Sequence, residues 1–115
     1  SGEGRAKNKQ KELALKKAKN ELIDIENQIK SLYEMLKSNY NNALLSLSSQ
    51  ETKVKLFDSV YSNEEKKLNY GASNSLTLSQ RKMQLLQSKQ ELLQKQYELY
   101  KAEVQLSIHT NILKL

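Results

Sequence analysis

The residues that could carry chemistry do not form a recognisable catalytic or metal-binding pattern. His109 is the only histidine, and the chain has no cysteine. A metal site needs several His, Cys or carboxylate ligands at suitable spacing, and His109 has no such neighbours in the sequence. Serines are numerous, but none stands beside a base in a nucleophilic constellation. The sequence therefore predicts neither an enzyme nor a metal site.

The carboxylates and glycines lead to the same prediction. Carboxylates alternate with Lys and Gln, which is typical of solvated helix faces with pairs three or four residues apart. Between Arg5 and Leu115 the one glycine is Gly71, so no Gly-rich loop is present to hold a phosphate, and no cofactor is predicted. The carboxylates assigned to solvated faces are Glu12, Glu21, Asp24, Glu26, Glu64, Glu65, Glu91, Glu98 and Glu103.

Few residues in this chain can end a helix. It has no proline, and two of its three glycines are Gly2 and Gly4. Because proline and glycine normally separate the elements of a globular chain, Gly71 divides this one into two long segments. Hydrophobic residues make up 37%, below the usual share, so a compact core is not expected. The predicted fold is all-α: a long antiparallel helical hairpin, or coiled coil, with arms at 9–69 and 76–115 and a tip at 70–75. Residues 1–8 are expected to be a flexible tail, with Ser1–Ala6 a remnant of cloning.

The first arm carries a predicted heptad seam, because its apolar residues recur at alternating spacings of three and four. Gln50 and Glu64 are polar interruptions of this seam. A shift of one residue at Leu32 and Tyr33 indicates a helix close to straight. The seam consists of Leu15, Ala18, Leu22, Ile25, Ile29, Leu32 or Tyr33, Leu36, Tyr40, Ala43, Leu47, Gln50, Val54, Phe57, Tyr61, Glu64 and Leu68.

The second arm carries two apolar stripes. A leucine recurs every seven residues from Leu78 to Leu113. Because the chain folds back at Gly71, these leucines are expected to face seam residues of the first arm at similar distances from the turn. The leucines Leu78, Leu85, Leu92 and Leu99 should face, taken from the turn outward, Tyr61, Phe57, Val54 and Leu47. The second stripe contains Leu86, Leu93, Tyr97, Tyr100, Val104, Ile108 and Ile112. Since one partner helix covers only a narrow seam, this broad apolar arc predicts a second neighbour from another hairpin.

The segment between the arms has the residues of a helix stop followed by a helix start. Gly71 can take the left-handed conformation that closes a helix. Asn74 or Ser75 can then cap the next helix, and Thr77 with Gln80 offers a capping box as an alternative. A stop and a start this close together are typical of an αα-hairpin.

The basic residues and the tyrosines raise the question of a nucleic-acid or membrane partner. The net charge is +6, and a basic cluster suggests either a patch for nucleic acid or anionic membrane, or a solvated helix start. Glu12 and Glu21 interrupt this cluster and no aromatic residues interleave it, which favours the solvated helix. No apolar stretch approaches the roughly 18 residues needed to cross a bilayer. No nucleic-acid partner and no direct membrane contact are predicted. The cluster contains Lys7, Lys9, Lys11, Lys16, Lys17 and Lys19, and the tyrosines assigned to the seam are Tyr33, Tyr40 and Tyr61.

The segment from Lys67 to Leu78, KLNYGASNSLTL, resembles the hairpin tip of TolC-type outer-membrane efflux channels. In that family a basic or aromatic helix end meets a glycine, then a short polar stretch, then an apolar alternation that opens the returning helix. The resemblance continues along the returning arm and covers about residues 13–112. Its matching positions there are Lys89-Gln90-Glu91-Leu92, Tyr97 and Val104-Gln105-Leu106.

The resemblance implies a segment of a larger molecule. Such channels are trimers whose hairpins form an α-barrel tunnel across the periplasm, and their tips meet a periplasmic adaptor protein. The chain is therefore expected to be one hairpin of a homotrimeric outer-membrane protein. Thr77 and Gln80 stand where the family often has acidic residues at the tunnel entrance, so an acidic ring is not implied. The residues expected to bind the adaptor are Tyr70, Gly71, Ala72, Ser73, Asn74, Ser75 and Leu76.

Two alternatives remain open at this point. A hairpin of the adaptor protein also has heptads and a tight tip, but it brackets a lipoyl-like β domain. A coiled-coil scaffold or secretion component outside efflux would have no reason to bind through the turn. The flanking sequence, with or without amphipathic β-strands, distinguishes the channel from the adaptor.

Overall fold

The computed structural model describes residues 1–114, and this part of the chain consists of two helices joined by a short turn. Helix α1 is Gly2–Asn69 and helix α2 is Ser75–Leu113. The predicted all-α antiparallel hairpin is confirmed. Helix α1 begins before the predicted start at residue 9. Its first turn is closed by Ser1, whose Oγ accepts a hydrogen bond from the Gly4 N–H at 3.3 Å, and whose carbonyl accepts one from the Arg5 N–H at 3.2 Å.

The chain divides into two compact units, Ser1–Met35 and Leu36–Leu115. The first unit belongs to α1, and its side chains are exposed except for Ile29 and Tyr33, which are half-buried. Of the two alternatives for the seam, Tyr33 is therefore covered and Leu32 is exposed. The N-terminal part of the predicted seam is not buried. Its first residues, Leu15, Ala18, Leu22 and Ile25, are exposed.

The second unit contains the packed part of the hairpin. Every predicted α1 seam residue from Leu36 to Leu68 is buried or half-buried. On α2 the leucines at heptad spacing, Leu78, Leu85, Leu92, Leu99 and Leu106, are covered in the same way, and Leu113 is exposed. Hydrophobic periodicity places these side chains on one face of each helix, and the antiparallel arms bury that face. Leu85, at 6% exposure, lies deepest among the apolar side chains.

A second set of α2 residues also faces the seam, although no apolar pattern marks it in the sequence. We call it the polar column, since it lies three residues after each leucine and is largely polar. All of its members are buried or half-buried. They are Arg81, Ser88, Lys95, Ala102 and His109. The interface between the arms is thus apolar along one α2 column and largely polar along the other.

The turn has the geometry of a Schellman motif. The Gly71 N–H donates to the Leu68 carbonyl at 3.0 Å, and the Ala72 N–H donates to the Lys67 carbonyl at 2.8 Å. Gly71 has φ +74°, the left-handed conformation that glycine adopts without steric cost. The predicted role of Gly71 as the helix stop is confirmed.

Candidate functional site

The start of α2 is fixed by Asn74. Its Oδ1 accepts a hydrogen bond from the Thr77 N–H at 2.9 Å, and its carbonyl accepts one from the Leu78 N–H at 3.1 Å. Asn74 itself is extended, with φ −136° and ψ 162°, as an N-cap residue normally is. Of the caps considered from sequence, Asn74 is the one that the structure uses. Thr77 is half-buried and Gln80 is exposed.

The tip, residues 70–75, and the adjoining Leu76 present an accessible backbone, with small side chains at Ala72, Ser73 and Ser75. Ser73 is half-buried and the other six residues are exposed. A Cβ added at Gly71 would meet no atom within 4 Å, so a side chain there would extend into open space. Tyr70 and Leu76 are the large apolar residues at this end, and both are well exposed. The tip therefore has a hydrogen-bonded backbone with open space beside Gly71.

The second stripe of α2 is exposed, and we call it the outer stripe. Leu86 immediately follows the buried Leu85 and is 50% exposed, and Leu93 is 66% exposed. Successive residues on a helix point about 100° apart, so these side chains lie well away from the seam. Lys101 Nζ lies 4.8 Å from the centroid of the Tyr97 ring, a cation–π contact on this surface. The outer stripe comprises Leu86, Leu93, Tyr97, Tyr100, Val104, Ile108 and Ile112, all exposed.

A polar layer crosses the seam near the middle of the packed arms. Gln50 Nε2 donates to the Ser88 carbonyl oxygen at 2.9 Å and to Glu91 Oε2 at 3.2 Å. Lys53 Nζ lies 3.5 Å from the same Glu91 oxygen. Gln50 is 7% exposed and Ser88 is 2% exposed, and the Ser88 hydroxyl donates to the Leu85 carbonyl at 2.7 Å. These hydrogen bonds satisfy polar groups that would otherwise be costly to bury.

Glu64 lies in the seam near the tip. The prediction that it occupies a solvated face is wrong, since it is 8% exposed, and its other assignment as a seam position is correct. The heptad spacing turns it toward α2 whatever its polarity. Lys67 Nζ, one helical turn away, lies 3.8 Å from Glu64 Oε2 and supplies a counter-charge.

A cleft in the packed unit is lined mainly by polar side chains. This cleft of about 400 Å³ opens where Ala43 and Ala102 leave room between the arms. Its other lining side chains are Asn, Ser, Gln, Glu and Lys, with no histidine among them. In the described residues, no group of three or more His, Cys, Asp or Glu side chains is placed to hold a metal ion. His109, the one histidine, is half-buried on α2.

The basic cluster lies on the first unit. All of its lysines are exposed, which fits a solvated helix start and a charged patch equally. Neither helix, over residues 1–114, contains a segment apolar enough to cross a membrane.

Comparison of the chain with protein-family models, with curated proteins and with solved structures gives no match. The tip, the outer stripe and the polar layer are therefore interpreted from their own geometry.

Proposed function

We propose that this chain is a periplasmic helical-hairpin segment of an outer-membrane efflux or secretion channel. In this role it forms part of the tunnel wall of a homotrimer and docks a periplasmic adaptor protein through its tip. The observation that carries the proposal is the outer stripe, an apolar surface on the side of α2 away from the seam. A further helix packed beside α2 would remove that surface from water. A barrel of side-by-side helices supplies such a neighbour.

Energetics favour lateral packing. Burying one leucine-sized side chain stabilises by roughly 1.5–3 kcal/mol, and the outer stripe offers several. The seam between the two arms is less apolar, because Gln50 and Ser88 are buried there among the leucines. A hairpin with a partly polar seam and an exposed apolar outer stripe gains much of its stability from its neighbours. This distribution suits a wall element better than a free-standing hairpin.

The tip is suited to docking by close backbone approach. Ala72, Ser73 and Ser75 carry small side chains, and Gly71 carries none. The hydrogen bonds of the Schellman motif and of the Asn74 cap hold this backbone in one conformation. A pre-ordered surface loses little entropy on binding, which favours tip-to-tip contact with the hairpin of an adaptor. Resemblance of this segment to the TolC-type tip supports the same partner.

A hairpin of the adaptor protein itself is the second candidate. The tight tip and heptad seam that support the channel also suit an adaptor arm. The sequence that flanks this segment in its gene separates the two. Amphipathic strands of an outer-membrane barrel support the channel, whereas a lipoyl-like β domain in the adjoining sequence contradicts it.

A photo-crosslinking residue at Ser73, in protein produced in its native host, tests tip docking. The expected product is a covalent link to the helical hairpin of a periplasmic adaptor, located by mass spectrometry. The same residue placed at Ser59, which is exposed on α1 away from the tip, is the matched control and should give no adaptor product. If Ser73 gives no adaptor product in folded protein, or Ser59 gives as much, the docking assignment is wrong.

Substitution at Gly71 separates docking from helix termination. Asn tolerates the left-handed conformation, and the space around Gly71 accepts its side chain. Gly71→Asn should therefore melt nearly as the parent does, while the added bulk at the tip abolishes transport. If fold-preserving substitutions at Gly71, Ala72 and Ser73 leave transport unchanged, the tip is only a turn.

A further inference from the structure

The first unit, Ser1–Met35, carries heptad seam residues that are largely open to water. Five of the six are exposed, and the sixth, Ile29, is half-buried. Leu22, near the middle of this part of the seam, is 56% exposed. An apolar heptad seam that is exposed to water is a surface on which another helix can pack. The six residues are Leu15, Ala18, Leu22, Ile25, Ile29 and Leu32.

The same unit is charged asymmetrically along its length. Between Arg5 and Lys19 it has seven basic residues and one acidic residue, whereas residues 20–34 include four acidic residues and one basic residue. All of these charged side chains are exposed. Two parallel copies of the unit would bring like charges together. Two antiparallel copies bring each basic half against an acidic half, so the partner with complementary charge is a second copy running in the opposite direction.

The spacing of the seam fits such an antiparallel pair in one register. When Leu22 of one copy is level with Ile25 of the other, the remaining seam residues also come level in pairs. Leu15 then meets Leu32, and Ala18 meets Ile29. Because the pair is symmetric, each of these layers occurs twice, and the contact closes on itself without leaving a seam residue unmatched.

Lys19 and Glu26 flank the seam and favour this register over its neighbours. Each follows a seam residue by one position, and side chains at this heptad position reach across to the partner helix. In the register described, Lys19 of one copy faces Glu26 of the other, and symmetry forms this ion pair twice. Sliding by one heptad brings Lys19 level with its own copy in one direction and Glu26 level with its own copy in the other. A parallel pair instead brings Glu21 against Glu26. Opposite charges thus favour one arrangement and like charges oppose the others.

We propose that the seam of the first unit is a homodimerisation surface, on which two copies of the chain pair antiparallel with reciprocal Lys19–Glu26 ion pairs. This surface consists of α1 residues and is separate from the outer stripe of α2. The inference does not rest on the function proposed above.

Charge exchange in the full chain tests the pairing. Lys19→Glu sets two carboxylates against each other at both ion pairs, and Glu26→Lys sets two ammonium groups against each other. In sedimentation equilibrium at low ionic strength, each variant should dimerise roughly tenfold more weakly than the parent. An equimolar mixture of the two variants should regain the affinity of the parent, because every carboxylate of one variant then faces an ammonium group of the other.

A matched control lies on the outer face of the same helix. Lys17 and Asp24 are exposed and have the same spacing as Lys19 and Glu26, but each precedes a seam residue and points away from the partner. Lys17→Glu and Asp24→Lys make the same changes of charge. Each should dimerise as the parent does, and mixing them should add nothing.

The apolar part of the surface is tested by a second matched pair. Leu22 and Leu13 are 56% and 58% exposed, but Leu22 belongs to the seam and Leu13 lies outside it. Leu22→Gln should weaken the dimer by at least as much as the charge variants, whereas Leu13→Gln should leave it unchanged. Circular dichroism checks that every variant keeps the helix content of the parent.

Five results would overturn the proposal. The parent chain remains a monomer even at millimolar concentration, the mixture of charge variants dimerises no more strongly than either variant alone, or Leu13→Gln weakens the dimer as much as Leu22→Gln. A stronger dimer of Glu26→Lys would identify a parallel pair. A dimer unaffected by Lys19→Glu and Leu22→Gln would place self-association on another surface.

Discussion

Leu85 and Leu86 are adjacent in sequence and differ in environment, so replacing each by alanine isolates the contribution of the seam. Leu85 is 6% exposed and Leu86 is 50% exposed. Alanine removes the same atoms at both positions and is slightly better in a helix. Any difference between the two variants therefore reports what each side chain contacts.

The expected magnitudes follow from burial. At about 0.8 kcal/mol per buried methylene plus a cavity term, Leu85→Ala should lower the free energy of unfolding by about 2–4 kcal/mol. At the half-exposed Leu86 the loss should be about 0.5–1 kcal/mol. Leu86 lies outside the packed seam, so its truncation leaves no cavity there. For a chain of this size each kcal/mol lowers Tm by roughly 3–6 °C, so the two midpoints should be clearly separated.

The assay is urea unfolding followed by circular dichroism at two protein concentrations. Equal slopes for parent and variants keep the comparison within a two-state treatment. Equal losses at Leu85 and Leu86 would refute the reasoning, since the outer stripe would then be as buried as the seam in solution. A concentration-dependent loss at Leu86 would identify self-association through the outer stripe as the cause.

The remaining predictions are measured by circular dichroism during thermal or urea unfolding. Leu92→Ala should lower thermal stability clearly, and Leu93→Ala should do so less, because Leu92 is half-buried in the seam and Leu93 is exposed; equal losses would indicate that the chain oligomerises through the outer stripe. Gly71→Ala should destabilise by about 1 kcal/mol, since alanine is strained at φ +74°, and an unchanged midpoint would contradict the left-handed cap. Asn74→Ala should cost about 1 kcal/mol through loss of the hydrogen bond to the Thr77 N–H, with Asn74→Asp as the control that retains it. Gln50→Ala should cost about 1–3 kcal/mol by removing the amide that hydrogen-bonds the Ser88 carbonyl and Glu91, and a smaller loss would mean that water replaces the amide.

Hydrophobic spacing was sufficient to predict the two helices and the apolar side chains that they bury between Leu36 and Leu106. The seam residues between Leu36 and Leu68 on α1 recur at heptad spacing. This local pattern is kept in the packed unit because no proline or glycine interrupts it. The turn was also predictable, since glycine is the residue that adopts positive φ without strain. Asn74 could not be separated from Ser75 as the cap, because both have a suitable side-chain oxygen and only the backbone geometry decides.

Periodicity marks the face of a helix but not whether a partner covers it. Leu15 and Leu22 continue the seam pattern and yet are exposed. The polar column shows the converse, because residues such as Arg81 and Lys95 lie in the seam without any apolar signal. Their position three residues after each leucine was the available indication. At the candidate site, sequence identified the residues of the tip, while their exposure and hydrogen bonding required the structure.

The most direct test of the central claim, that the outer stripe is a helix-packing surface, is thiol accessibility at Leu93. The Leu93→Cys variant would be labelled with a maleimide in the isolated chain and in the protein assembled in its native host. A separate Thr52→Cys variant, with its thiol exposed on α1, reports general access to the reagent. The thiol of Leu93→Cys should react readily in the isolated chain and be strongly protected after assembly, while that of Thr52→Cys keeps more of its reactivity. Equal labelling of the Leu93→Cys variant in both states would contradict the claim.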